Sequence, residues 1–550
     1  MPTQSQGERS PSENVVRSAG VVSIAVATSR VTGLVREIVL AAMFGASAVF
    51  DAFRIGFTIP NLTRDLFAEG ALSAAFVPIF TQYLSTKPRE EARLLANLVA
   101  TALIVIVGAI CLLGILLSPQ LVMLVAPGFL KTPGKFDLAV TLTRIMFPFL
   151  LVIALSAQAM GILNACGQFG VPAMASAFFN IGSVISGLIL GKLIGPTIGI
   201  SEIHGMAYGV VIGGGMQLLW QVPSLHRAGF RFRPKIDWSH PGLRHIFRLM
   251  GPAILGNAAV QINVTINNNF ASRLPDPDGP VSWLGYAFRF MQLPLGIFGV
   301  AIASATLPAI SRSAAAKDFD EFRLTLSKSL GLVFVLTIPS AVGLAILGDS
   351  IVGAVYQFGA FKASDTHQTG RALACYAIGL AGYSAAKVLN PAFYALHDAR
   401  TPMIISFGSI AVNFLTAITM VKVAGFGHEG LALSTSAVAI FSSVALFTVM
   451  RNRVNGIYGR NLWRTFVRVS GASAVMGGAI WMSSYYIISK LGTSKLARLV
   501  DLAVSIPLGV FFLYTTCRAL GITELDTAFR GITGTLQRKL PFLRARISKQ

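Results

Sequence analysis

The stretch "SRVTGLVREIVLAAMFG", Ser29–Gly45, decides the fold. It lies in an apolar segment that begins near Val15, yet it carries Arg30, Arg36 and Glu37. An ionisable residue at the centre of a membrane-spanning helix costs about 2.5–3.5 kcal/mol on insertion scales, so such residues face a cavity or a partner. Arg30 and Glu37 are seven residues apart, which on a 3.6-residue helix aligns them within about 20°. Arg36 lies about 120° from Arg30 on the same helix, with a side chain long enough to reach the same space.

Composition says that the surrounding medium is lipid. Apolar residues make up 54% of the 550 residues, charged residues 12%, and the mean hydropathy is +0.67. A soluble domain carries about 25% charged residues. Apolar runs of about 20 residues, enough to cross a hydrocarbon core, recur from end to end. The chain therefore reads as an all-α polytopic membrane protein with about fourteen transmembrane helices, from 15–44 to 496–520. The net charge of +22 falls in short segments between apolar runs, and no basic groove-reading module is present, which excludes nucleic acid as a partner. Cys111, Cys166, Cys375 and Cys517 are far apart and read as apolar packing residues, with neither metal spacing nor a disulfide framework. Ala25-Val26-Ala27 resembles a signal cleavage site, but Glu8 and Glu13 offset Arg9 and Arg17 upstream, so the segment reads as an uncleaved first span.

Loop charge orients the chain. Lys87, Arg89 and Arg93 lie in one set of loops, with Arg227, Arg231, Arg233 and Lys235, then Arg312 and Lys317, then Arg451, Arg453 and Arg460. The alternate set is poorer in Lys and Arg. The richer set belongs in the cytoplasm, which places both termini there. The tail 521–550 is basic and suits an anionic lipid surface.

The chain also repeats itself. "AFRIGFTIP" at Ala52–Pro60 resembles "AFRFMQLP" at Ala287–Pro294. "LLSPQLVMLVAPGF" from Leu116 matches "LGDSIVGAVYQFG" from Leu347, and "ILNACGQFGVP", ending at Pro172, matches "FYALHDARTP", ending at Pro402. Three similarities in one order at one offset imply a six-span repeat. An even number of spans makes it parallel, as in transporters whose substrate site lies between the halves. The organisation predicted is a tail 1–14, an N-lobe 15–236, a C-lobe 237–454, two further spans in 455–520 and the basic tail.

Other charges fall within spans: Asp51 and Arg54, an i,i+3 pair suited to mutual neutralisation, then Arg64, Asp65 and Glu69, and Arg289 in the eighth span. Arg30, Arg36 and Arg289 predict a central cationic cavity. Arginine suits a phosphate or pyrophosphate, because its planar fork donates paired hydrogen bonds and stays charged. Asn263, Asn413 and Thr416 form a candidate cation site without a carboxylate, and helix–helix hydrogen bonding is the favoured account of them. No catalytic or metal-ligand spacing is present, so neither an enzyme nor a metal site is expected. Pro60, Pro78, Pro294 and Pro308 are expected to kink the second and eighth spans, as in cavity-lining helices.

These residues resemble the MurJ (MviN) family of lipid II flippases, in the multidrug/oligosaccharidyl-lipid/polysaccharide exporter superfamily. The resemblance runs over nearly the whole chain and is strongest in Ser29–Phe80, with "MGPAILG" from Met250 and Gly285–Ser311 in support. It implies a transporter with two six-helix lobes, plus two helices forming a lipid-tail groove. It implies movement of lipid II, an undecaprenyl-pyrophosphate glycopeptide, from the inner to the outer leaflet of the bacterial cytoplasmic membrane by alternating access. Arg30, Arg36, Asp51, Arg64 and Arg289 fall on functionally important family positions, with Glu37 where many members have Asp. The resemblance implies no cofactor, coupling to sodium, protons or membrane potential, and cell-wall synthesis or division proteins as candidate partners. Two alternatives stay open from sequence: a flippase for another lipid-linked oligosaccharide, and a cation-coupled drug exporter of the same superfamily.

Overall fold

The computed structural model describes residues 11–66 and 72–522, and these are predominantly helical, with no β-strand among them. They divide into two compact units, Met1–Gly279 and Pro280–Gln550.

The first unit holds α1 (Pro11–Phe44), α2 (Ala48–Arg64), α3 (Ser73–Thr86), α4 (Arg89–Leu116), α5 (Ser118–Val125) and α6 (Lys135–Met146). It continues with α7 (Phe149–Ala165), α8 (Gly170–Leu188), α9 (Gly195–Ile198), α10 (Glu202–Arg227) and α11 (Pro241–Ser272). The second unit holds α12 (Pro280–Pro294), α13 (Ala301–Ala315), α14 (Phe319–Ile346), α15 (Gly348–Tyr356) and α16 (Ala363–Ile378). After these come α17 (Leu380–Ala395), α18 (Arg400–Ile418), α19 (His428–Arg453), α20 (Gly459–Leu491) and α21 (Lys495–Ala519).

The repeat seen in the sequence is carried by these elements. α4 and α14 each have 28 residues, α8 and α18 each 19, α10 and α19 each 26. Both α8 and α18 run into a π-helical turn, Ile189–Ile194 and Thr419–Val423. Such turns are rare, so the same irregularity at the same place argues for one duplicated design. The packing repeats as well: α10 lies on α7 and α8 in the first unit, as α19 lies on α17 and α18 in the second. The opening helices break the symmetry. α1 packs on α8, whereas α11 packs on α3, α4 and α5. The packing division therefore falls after α11, at Gly279–Pro280, while the division read from the repeat falls before it, at 236/237.

Among the described residues, eight helical segments are long and apolar enough to cross a membrane, or ten if two bent pairs each count as one span. The bent pairs are Pro241–Pro252 with Ile254–Ser272 and Ala363–Ile378 with Leu380–Ala395. The fourteen spans read from the sequence exceed that measure. Two reasons are visible: α2 has only 17 residues before the chain leaves the described set, and the charge-free part of α20 is diluted by Gly, Ser, Trp and Tyr. The four prolines fall inside or at the end of helices. Pro60 and Pro78 lie inside α2 and α3, Pro308 lies inside α13, and Pro294 ends α12 where a π-helical turn, Leu295–Val300, begins.

Candidate substrate site

α1 delivers the charged stretch from which the fold was read. Its mid-section is held to α8 by Asn180, whose side-chain amide donates to the Ser29 carbonyl at 3.2 Å and to Thr32 Oγ1 at 3.4 Å. Gly33 makes that approach feasible, since a Cβ there would sit 3.3 Å from the Asn180 amide nitrogen. One turn further on, the Arg36 guanidinium donates to Glu37 Oε1 at 3.3 Å and lies 5.2 Å from the centre of the Phe179 ring of α8. Both charged side chains are largely buried. The ion pair thus joins sequence neighbours, Arg36 and Glu37, although the helical wheel aligns Glu37 with Arg30. Arg30 is exposed and has no hydrogen bond or ion pair among the described residues. The first unit therefore presents one braced arginine and one available arginine on a single helix.

α2 carries the second group. Asp51 is fully buried and accepts from Lys135 Nζ at 3.0 Å and from the Gly279 amide at 3.1 Å. Lys135 also donates to the Pro277 carbonyl at 2.5 Å and lies 4.3 Å from the Phe129 ring centre. Gly279 has a φ of +100°, a backbone conformation open to glycine at no steric cost, and it aims its N–H at the carboxylate. Gly134, at φ +74°, turns the chain into α6 immediately before Lys135. Asp278 accepts from the Ala48 amide at 2.7 Å, so the segment before Pro280 is tied to the start of α2 through both acids. The Arg54 guanidinium lies 5.7 Å from the Phe50 ring centre. At the other end of α2, Arg64 donates from Nε and Nη2 to Asp65 Oδ1, at 3.1 and 2.8 Å. Glu69 lies outside the described residues.

In the second unit Arg289 stands exposed on α12 between buried neighbours, Ala287 and Phe290. Of the three residues read as a candidate cation site, Asn413 is buried on α18, Thr416 is half-buried one turn later, and Asn263 is on α11 in the first unit. Among the described residues no group of three or more His, Cys, Asp or Glu is arranged to hold a metal.

Four buried polar side chains that tie segments together escape the sequence reading: Asn180, Lys135, Arg498 and Asp501. Asp501 of α21 is fully buried and accepts from Ser350 at 2.5 Å and from Ser484 and Ser505 at 2.8 Å each. Arg498, also buried, donates to the Asp349 carbonyl, and to the Thr493 carbonyl at 3.1 Å. Together they fasten the last helix to α15. A single carboxylate in the apolar run "ARLVDLAVSIP" was the available signal.

Residues 40–500 match the family model described as lipid II flippase MurJ. A lipid II flippase MurJ from Burkholderia cenocepacia is 34% identical over 502 residues, covering 90% of this chain and 95% of that protein. Among solved structures, a lipid II flippase MurJ in an inward closed conformation superposes with a TM-score of 0.73 at 27% identity, over 91% of this chain and 99% of the other. An inward-facing multidrug resistance MATE family transporter of the MOP superfamily superposes with a TM-score of 0.63 over 79% of this chain and 94% of the other. Its 14% identity speaks to the fold alone.

Proposed function

We propose, from the premise that the chain belongs to the lipid II flippase MurJ family, that it carries lipid II across the bacterial inner membrane for cell-wall synthesis. The carrying observation is the family match over residues 40–500. It is a multi-pass transporter, not an enzyme. Arg30 and Arg36 of α1 and Arg289 of α12 bind the pyrophosphate and its glycopeptide. Arg30 supplies an available guanidinium, and Glu37 with Phe179 sets the rotamer of Arg36. The cytoplasmic side is that of the arginine-rich loops. Alternation of the site between the two faces then transfers the headgroup while the polyprenyl tail stays in lipid. Cationic side chains in the charged spans favour an anionic substrate over the cations that a drug exporter of this fold would carry.

The test is depletion in cells, with an impermeant reagent sampling lipid-linked precursors at the outer face. Outer-face lipid II is expected to fall while total lipid II rises. If lipid II is unchanged on both counts and another lipid-linked glycan accumulates inside, the substrate assignment fails and the alternative flippase reading replaces it.

A further inference from the structure

The duplicated design places a chamber at the same position in each unit, framed by α4, α7 and α10 in the first and by α14, α17 and α19 in the second. In the second unit the chamber measures about 750 Å³ and is lined by apolar side chains, among them Phe334, Leu389, Val444 and Phe466. Arg451, in the last turn of α19, and Arg460, in the first turn of α20, stand at one end of it. In the first unit the equivalent space is about 250 Å³, again with two arginines, Arg93 and Arg231. It is smaller because the segment after α10 brings Phe230 and Phe232 into its lining, and the Phe230 ring packs 5.6 Å from that of Phe80. In the second unit the chain runs from α19 directly into α20, whose Trp463 and Phe466 stack as a wall, ring centres 5.5 Å apart. Small-molecule sites run about 300–1,000 Å³, so only the second chamber has room for a ligand of that size.

We propose that the chamber of the second unit is a binding site for an acidic glycerophospholipid of the membrane in which the protein sits. One acyl chain occupies the apolar space, and the phosphate meets Arg451 and Arg460. Three observations point to this occupant. The lining is apolar, and Val444 and Trp463 are also exposed on the surface beside it, so a chain can enter sideways from lipid. The two arginines have no carboxylate partner among the described residues, and the nearby acid Asp398 is taken by Arg453. Arginine's planar fork matches a phosphate. The connection between α19 and α20 is also fixed, since Arg323 Nε donates to the Val454 carbonyl at 2.5 Å, so the mouth is preorganised. Charge complementarity argues against the chain's own tail as occupant, because residues 523–550 carry a clear excess of Lys and Arg over acids. α21 contributes nothing to the lining.

The test uses the full chain reconstituted in phosphatidylethanolamine vesicles, with phosphatidylglycerol carrying a photoreactive group on one acyl chain as probe. Adducts mapped by mass spectrometry are expected on α14, α19 and α20 around the chamber, displaced by unlabelled phosphatidylglycerol and not by further phosphatidylethanolamine. Each of Arg451→Gln and Arg460→Gln, at exposed positions, should lower adduct yield about fivefold, the effect of one basic residue near an anionic lipid. Val444→Trp should block labelling with both arginines in place. Adducts scattered evenly over lipid-facing helices, or yields indifferent to the arginines, overturn the proposal. Displacement by undecaprenyl pyrophosphate in place of phosphatidylglycerol overturns it too, by assigning the chamber to a polyprenyl tail. Labelling that appears only after residues 523–550 are removed makes that tail the occupant.

Discussion

The same junction is built in two chemistries in the two units. In the first, α2 meets α6 through the buried ion pair Asp51–Lys135, with the Pro277 carbonyl and the Gly279 amide also bonded to the pair. In the second, α12 meets α16 through a neutral donor: Trp283 Nε1 gives its hydrogen to Asp365 Oδ1 at 3.0 Å. There Tyr286 packs against Tyr356 and Phe361, ring centres 4.8 and 5.4 Å apart. Asp365 spends its other oxygen on the amide of Lys362, 2.9 Å away. The difference teaches where each unit is vulnerable. A buried charge is costly to strand, since removing Asp51 takes the carboxylate partner from a Lys135 ammonium that is shielded from water. An aromatic cluster spreads its stabilisation over many contacts and loses it piecemeal.

The largest expected effect follows from that dependence. Asp51→Ala or Lys135→Met should each destabilise the protein by about 3–5 kcal/mol, and the pair Asp51→Leu with Lys135→Met should recover most of the loss. Thermal unfolding in detergent, followed by tryptophan fluorescence and light scattering, reads both. Singles without effect would mean that water or lipid solvates the pair. A double variant as unstable as the singles would mean that the Gly279 and Pro277 contacts carry the junction. Trp283→Phe keeps the ring and removes one hydrogen bond to a carboxylate, an expected cost of about 1–3 kcal/mol. If it equals the loss from Asp51→Ala in the same assay, the contrast between the junctions disappears.

A smaller, pH-dependent contrast lies in the turns that follow α7 and α17. Asp398 accepts from the Thr401 hydroxyl at 2.7 Å and the Thr401 amide at 3.0 Å, and it pairs with Arg453. Hydrogen bonds from Thr401 hold its carboxyl below the usual 3.8, with Arg453 adding to the effect. A depressed carboxylate stabilises the fold fully above its ordinary value, and that contribution is lost as pH falls from about 4 through the lower folded value. The matching turn of the first unit has Gln168 at that position, a side chain without an acidic group. Asp398→Asn should therefore lower the melting temperature at pH 7 and leave a difference that shrinks below about pH 4. A difference constant across that range would remove Asp398 from the acid response.

Much of this was readable in the sequence, and the unread part has physical causes. The repeat, the prolines within helices and the charged first helix follow from spacing and composition, which act within one segment. Lys135 could not be matched to Asp51, because its setting "LKTPGKF" reads as a solvated turn. It becomes buried only when the chain before Pro280 folds over it. The Arg36–Glu37 pair was missed because a helical wheel ranks direction and ignores the reach of long side chains. α11 begins the second repeat by sequence yet packs with the first unit, because helix–helix packing follows surface shape and not ancestry. Glu69 was legible as a charge but falls outside the described residues.

The most direct test of lipid II transport through α1 and α12 is outer-face lipid II in depleted cells rescued by Arg36→Ala, Arg36→Lys or Arg289→Ala at matched membrane abundance. All three should leave outer-face lipid II at the depleted level. Arg36→Lys belongs with them because a lysine keeps the charge and loses the planar fork. Full rescue by Arg36→Ala and Arg289→Ala would contradict a pyrophosphate-binding role for these arginines, even with the substrate confirmed.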